Sequence, residues 1–208
     1  MTDSVPKTRL PRTWTIVLLG VVLLVGGGAL MVWLPYHRNQ TAIAEVERLG
    51  GYTESVIVRP AWIPNVVDDE DLWLFERVIV VDLTASQVSY VGLEHLRGLT
   101  NLEELWMDRT QVTDVGLEYV RRLNNLRTLS LIDTQVSDAG LEHISQLISL
   151  RTLTLDNTQI SDAGLEHLLQ LTNLKVLWLD GTQVTDAGTE KLRKALPDCL
   201  FNWTLPSE

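Results

Sequence analysis

The feature that most constrains this chain is a repeat of fixed length: from Ile79 onward the sequence recurs every 24 residues. The units are Ile79–Leu102, Glu103–Leu126, Arg127–Leu150 and Arg151–Leu174, and a fifth, divergent unit begins at Lys175. The third and fourth read RTLSLIDTQVSDAGLEHISQLISL and RTLTLDNTQISDAGLEHLLQLTNL. Each unit changes its apolar period halfway. Leu105 and Met107, Leu129 and Leu131, Leu153 and Leu155, and Leu177 and Leu179 alternate, which predicts a short strand with one face buried. Leu141, Ile144 and Leu147, then Leu165, Leu168 and Leu171, have helical spacing. A unit of one strand and one short helix cannot bury its apolar face alone. The chain must therefore stack its units, parallel strands on one side and helices on the other.

Ahead of each helix stands a hydroxyl: Ser89-Tyr90, Thr113-Asp114, Ser137-Asp138, Ser161-Asp162 and Thr185-Asp186. A Ser or Thr there is expected to cap free backbone N–H groups, and an Asp after it favours the positive end of the helix.

The block LxxLxLxxT, as in Leu150-Arg-Thr-Leu153-Thr-Leu155-Asp-Asn-Thr158, resembles the leucine-rich repeat family from about Val78 to Leu200. The TQVTDAGL-type block that follows is similar to that of bacterial membrane-anchored members. The resemblance implies an α/β leucine-rich repeat solenoid. It also implies that Thr110, Thr134, Thr158 and Thr182, with Ser86, replace the usual inward Asn and form a ladder to neighbouring backbones. A family with this many partners implies a fold more strongly than a function.

Strand residues between the buried ones are expected to point outward. They make two rows: Asp82, Trp106, Ser130, Thr154 and Trp178, then Thr84, Asp108, Ile132, Asp156 and Asp180. Two tryptophans flanking a trough at Ser130 and Thr154 suit an extended peptide or polymer, and Asp108, Asp156 and Asp180 favour a basic one. The helix-side column His95, Tyr119, His143, His167 and Lys191 reads as a solvated face.

Ahead of the repeats, Thr13–Leu34 holds no charged residue. Its length of ~33 Å matches a hydrocarbon core of ~30 Å, so a transmembrane signal-anchor is expected over residues 13–35. Lys7, Arg9 and Arg12 precede it, which keeps residues 1–12 in the cytoplasm and exports the repeats. Cleavage after Ala29, with secretion, is the alternative. Residues 36–77 are expected as linker and N-terminal cap, with helical spacing at 40–49 ended by Gly50-Gly51 and a strand from Tyr52 to Val58. Residues 78–200 are read as the repeats and 201–208 as C-terminal cap and tail, with Leu200, Phe201 and Trp203 covering the end of the stack.

The formal net charge is -10: +2 over residues 1–35, -4 over 36–77 and -8 over 78–208. An acidic domain repels phosphate backbones, so no nucleic-acid partner is expected. The lone Cys199 forms no internal disulfide, and no zinc spacing, phosphate loop, nucleophile elbow or Rossmann fingerprint occurs. The sequence therefore points to binding of a protein or extended polymer outside the cytoplasm, with no enzymatic activity, cofactor or metal. A self-associating envelope component is the alternative.

Overall fold

The computed structural model describes residues 29–204 except 62, 64–66 and 89. Helix α1 spans Ala29–Arg48 and is followed by strand β1, Tyr52–Ile57. Thereafter strands and short helices alternate: β2 Glu76–Asp82, α2 Tyr90–Leu93, β3 Glu104–Trp106, α3 Asp114–Leu117, β4 Thr128–Ser130 and α4 Asp138–Ile144. The series continues with β5 Thr152–Thr154, α5 Asp162–Leu165, β6 Val176–Trp178, α6 Asp186–Ala195 and β7 Leu200–Asn202. The seven strands form one sheet in the order β1-β2-β3-β4-β5-β6-β7.

From β2 to β7 the pairing is parallel, and every register partner lies 24 residues on, as in Leu105↔Leu129, Leu129↔Leu153 and Leu153↔Leu177. Leucines at equal positions therefore stack into columns: Leu126, Leu150 and Leu174, or Leu129, Leu153 and Leu177, each at most 1% exposed. Aliphatic burial of this kind contributes roughly 1.5–3 kcal/mol per side chain.

The turn after each strand needs a left-handed residue. Ala85, Arg109, Asp133, Asn157 and Gly181 fill it, with φ of 57°, 54°, 56°, 55° and 71°. Gly181 is the one residue type without strain there. The strain at the others is compensated by a bond to the next unit: Arg109 N–H donates to Ile132 O at 2.7 Å and Asp133 N–H to Asp156 O at 3.0 Å.

The inward hydroxyls do not make the ladder to neighbouring backbones that the resemblance implies. Thr110, Thr134, Thr158 and Thr182 are buried, but each hydroxyl donates within its own turn, to Met107 O, Leu131 O, Leu155 O and Leu179 O, at 2.5–2.7 Å. The tie between units is made elsewhere. The Asp114 carboxylate accepts from Ser137 N–H and Oγ, Asp138 from Ser161, and Asp162 from Thr185, at 2.6–2.8 Å. Of the hydroxyls expected as caps, Ser161 does cap its own helix, accepting from Ala163 N–H at 3.3 Å. Thr113, Ser137 and Thr185 make no side-chain cap bond. The hydroxyls of Ser137 and Thr185 are instead turned toward a carboxylate of the preceding unit, to which they donate in a charge-assisted bond. The glycine of each DAG triplet gives that carboxylate room: a Cβ on Gly140, Gly164 or Gly188 would collide with Asp114, Asp138 or Asp162.

The transmembrane helix expected over residues 13–35 is corrected. Among the described residues, no helix is long and apolar enough to cross a membrane. Residues 13–28 lie outside the described residues. From Ala29, α1 runs through Pro35 and on to Arg48, gaining Arg38, Glu45 and Glu47 on the way. Its second half is amphipathic: Ala42 and Val46, 0% and 1% exposed, belong to the repeat core. Gly50, at φ 82°, ends it, and Gly51 N–H donates back to Val46 O at 2.9 Å.

The described residues fall into two compact units. Arg38–Val56 group with the repeats, whereas Ile57–Glu76 group with the residues up to His37. The smaller unit has its own cluster of Ile63, Leu72 and Phe75, and Arg59 donates to Val67 O and the Asp69 carboxylate at 2.6 Å each. Tyr36 meets Trp73 edge to face at 5.0 Å.

Candidate interaction face

Strand alternation sets three outward rows. Register places Asp82, Trp106, Ser130, Thr154, Trp178 and Asn202 in one line across β2–β7. Asp108, Ile132, Asp156 and Asp180 stand two residues further along, past the buried Met107, Leu131, Leu155 and Leu179. A third row, Glu104, Thr128, Thr152, Val176 and Leu200, escaped the sequence reading. Its signal was available: these residues precede the inward leucine of each strand, where alternation demands an outward side chain.

The rows are not uniform. Ser130 is fully buried, and its Oγ donates to Asp108 Oδ1 at 2.5 Å. The trough expected at Ser130 and Thr154 is thus partly closed by the Asp108 carboxylate. Trp106 is half-buried, and its indole N–H donates to the Glu104 carboxylate at 3.4 Å. Trp178 is 39% exposed and Leu200 72%. Leu200, expected to cover the end of the stack, stands instead on the strand face. Phe201 and Trp203 pack on the core, and the Trp203 indole donates to Val184 O at 3.1 Å.

The acidic row has structural duties. Asp108 Oδ1 accepts from Ile132 N–H at 2.9 Å, and Asp156 Oδ1 from Asp180 N–H at 2.8 Å. Each carboxylate thereby holds the strand after its own. Burial pushes the Asp156 carboxyl above its ordinary range; the Asp180 N–H opposes this, and the charges of Asp180, Asp108 and Asp133 add to it. Asp180 Oδ1 is itself buried and has no hydrogen-bond partner.

On the helix side, His143 and His167 are half-buried, and Lys191 pairs with Glu166. A shallow cleft there is lined by Asp162, Leu165, Glu166, Leu169, Gly188 and Lys191. Among the described residues, no group of three His, Cys, Asp or Glu side chains is placed to hold a metal ion. Burial pushes the Cys199 thiol up to about 11, so it stays protonated at neutral pH.

A family model described as leucine-rich repeats, two copies, matches residues 148–194. No curated protein sequence matches the chain. Among solved structures, a leucine-rich repeat protein of Leptospira interrogans is 28% identical over 52% of this chain and 27% of its own, with a TM-score of 0.44. An internalin of Listeria monocytogenes is 19% identical over 62% of this chain and 41% of its own, with a TM-score of 0.42. The chain thus spans well under half the length of either. The leucine-rich repeat ectodomain of a receptor kinase from Arabidopsis thaliana is 16% identical over 80% of this chain and 91% of its own, with a TM-score of 0.51, a likeness of fold alone. Residues 148–194 thus match leucine-rich repeats, and they lie within a parallel stack that advances one 24-residue unit per strand, a fold similar to that of leucine-rich repeat proteins.

Proposed function

We propose that the chain binds another protein or an extended polymer through its strand face, at the rows that hold Trp106, Ser130, Thr154 and Trp178 beside Asp108, Asp156 and Asp180. One observation carries the reading: Trp178, a residue type enriched at binding hot spots, stands 39% exposed on a sheet whose other face is buried leucine. Rigid strands hold such a surface in place, so little ordering is needed on binding. The face is small. Six parallel strands at ~4.8 Å cover ~24 Å, and four residues at ~3.3 Å give ~13 Å. That is a few hundred Å², against the ~800 Å² each partner gives a standard interface. Affinity from this face alone is therefore weak, and several copies side by side raise it.

The test is a photo-crosslinking residue at Thr154 on the strand face, or at the exposed Glu142 on the helix side, in the native cell. Adducts at Thr154 and none at Glu142 support the reading; the reverse moves the binding surface to the helices. An adduct with a second copy of the chain identifies the self-associating component instead. The reading includes export of the repeats, on the order of Lys7, Arg9 and Arg12 before the apolar stretch Ile16–Val25. A protease added outside the cytoplasmic membrane of intact cells then digests the repeats; protection until lysis sinks this part.

A further inference from the structure

We propose that the C-terminal end of the strand face docks an extended peptide that carries an apolar side chain and, two residues away, a lysine or arginine. The proposal deepens the reading above and rests on it, since the strand face must be the surface that binds. Three neighbouring side chains there are apolar. Val176 and Leu200 are register partners on β6 and β7, and Trp178 stands two residues along from Val176. At the opposite end of the same rows Val80 aligns with Glu104 and Asp82 with Trp106, whose indole is tied to Glu104. The exposed large apolar side chains of these rows, Trp178 and Leu200, stand together at β6 and β7, and Leu200, 72% exposed, is the more open.

Charge then selects the occupant. Two residues beyond Trp178 along β6 lies Asp180, beside Asp156 of the neighbouring strand. Asp108 and Asp133 add their charges to that of Asp180 at Asp156. Like charges in line across a sheet are unfavourable until something neutralises them. A lysine or arginine supplies the neutralising charge, in a bond to carboxylate stronger than a neutral one. In an extended chain, side chains on one face recur every second residue, ~6.6 Å apart, the same step that separates Trp178 from Asp180. A peptide lying along β6 and β7 thus sets its apolar residue on Trp178, Val176 and Leu200, and its basic residue over Asp156 and Asp180. An acidic peptide meets Asp156 and Asp180 and is repelled.

The experiment is to pan a random-peptide display library against the full chain and to measure one enriched synthetic peptide by calorimetry. Peptides with the apolar–x–basic pattern are expected. Their affinity should fall at least tenfold in Trp178→Ala and in Leu200→Ser, at least threefold in Asp180→Asn, and less than twofold in Trp106→Ala. Leu200 is so exposed that its replacement leaves the fold intact, which circular dichroism checks. Repanning Asp180→Lys should enrich acidic residues. Peptides that need Trp178 but carry no basic residue, and bind Asp180→Asn as well as the parent, overturn the proposal and leave the strand-face reading standing. Peptides indifferent to Trp178→Ala, Leu200→Ser and Thr154→Arg alike overturn both. A library without enrichment counts against the proposal.

Discussion

Trp106 and Trp178 occupy one row of one sheet, three strands and ~14 Å apart, yet they are not equivalent. Trp106 is half-buried, with Glu104 holding its indole N–H and Asp82 aligned on β2. Trp178 is exposed beside Val176 and Leu200, where β6 pairs with β7. The repeat position decides which way a side chain points. Its neighbours in the adjoining units decide whether it is available to a partner. Repetition therefore makes a face, and departures from repetition across β6 and β7 set which of its residues are exposed.

The largest effect expected from this asymmetry is on partner binding. Trp178→Ala should weaken it thirtyfold or more, ~2 kcal/mol or above, as for a hot-spot aromatic. Trp106→Ala should cost less than threefold. Calorimetry with the partner found by crosslinking measures both, and equal losses would erase the distinction between the two ends.

A second contrast separates the middle of the stack from its end. Asp138→Ala removes two bonds to Ser161 and leaves its N–H without an acceptor, which should cost ~1–3 kcal/mol in urea melts. Asp186 holds the corresponding place in the last unit, where no Ser or Thr of a following unit meets it among the described residues. Asp186→Ala should stay within ~0.5 kcal/mol, as exposed changes do. Equal losses would show that the carboxylates act on their own helices rather than between units.

A smaller loss is expected at the inward hydroxyls. Thr134→Val takes a buried donor from Leu131 O and should cost ~1 kcal/mol. Thr113→Val should be nearly silent. Thr113 makes no cap bond, and the preceding unit carries Tyr90 where later units carry the aspartate that binds this hydroxyl. A reversed order in the same melts would mean that the turn bond contributes nothing.

The smallest effect concerns pH. The folded state raises the Asp156 carboxyl above its ordinary range, so the native chain binds that proton more tightly than the unfolded one. Its charge accordingly destabilises the fold as pH rises through the raised value, and the penalty is absent below the ordinary carboxylate range. Asp156→Asn keeps an oxygen for Asp180 N–H and loses the charge. It should be slightly more stable than the parent at pH 7, with the difference vanishing at low pH. Melting temperatures across that range check the sign; a variant less stable at pH 7 would show that the ionised carboxylate is favourable where it stands.

Much of this architecture was legible in the residues. The alternating leucines and the 24-residue spacing predict the strands, their parallel register and the outward row of Trp106, Ser130, Thr154 and Trp178. Gly50 as the end of α1 was legible too, because a left-handed residue there favours glycine. Partners that differ in sequence by one whole unit were not. Ser137 and Thr185 read as helix caps, since a hydroxyl before a helix does cap one in isolation; each instead donates to the Asp 23 residues earlier, which only stacking brings near. Leu200 read as a cap residue because it lies among apolar neighbours in sequence, but parity along β7 turns it outward and turns Phe201 in.

The apolar stretch ahead of the repeats teaches the same lesson from the other end. Hydropathy joins Leu30–Leu34 to the residues before it, whereas the fold joins them, through α1, to a helix whose Ala42 and Val46 complete the repeat core. The sequence by itself determined the period, the columns of the core and the direction of each strand side chain, because these follow from alternation and from local backbone geometry. Tertiary structure alone decided which hydroxyl binds which carboxylate, which tryptophan is open and which aspartate is left without a donor. Those outcomes are set by groups one repeat apart, and a distance of ~24 residues along the chain becomes ~5 Å only when the sheet has formed.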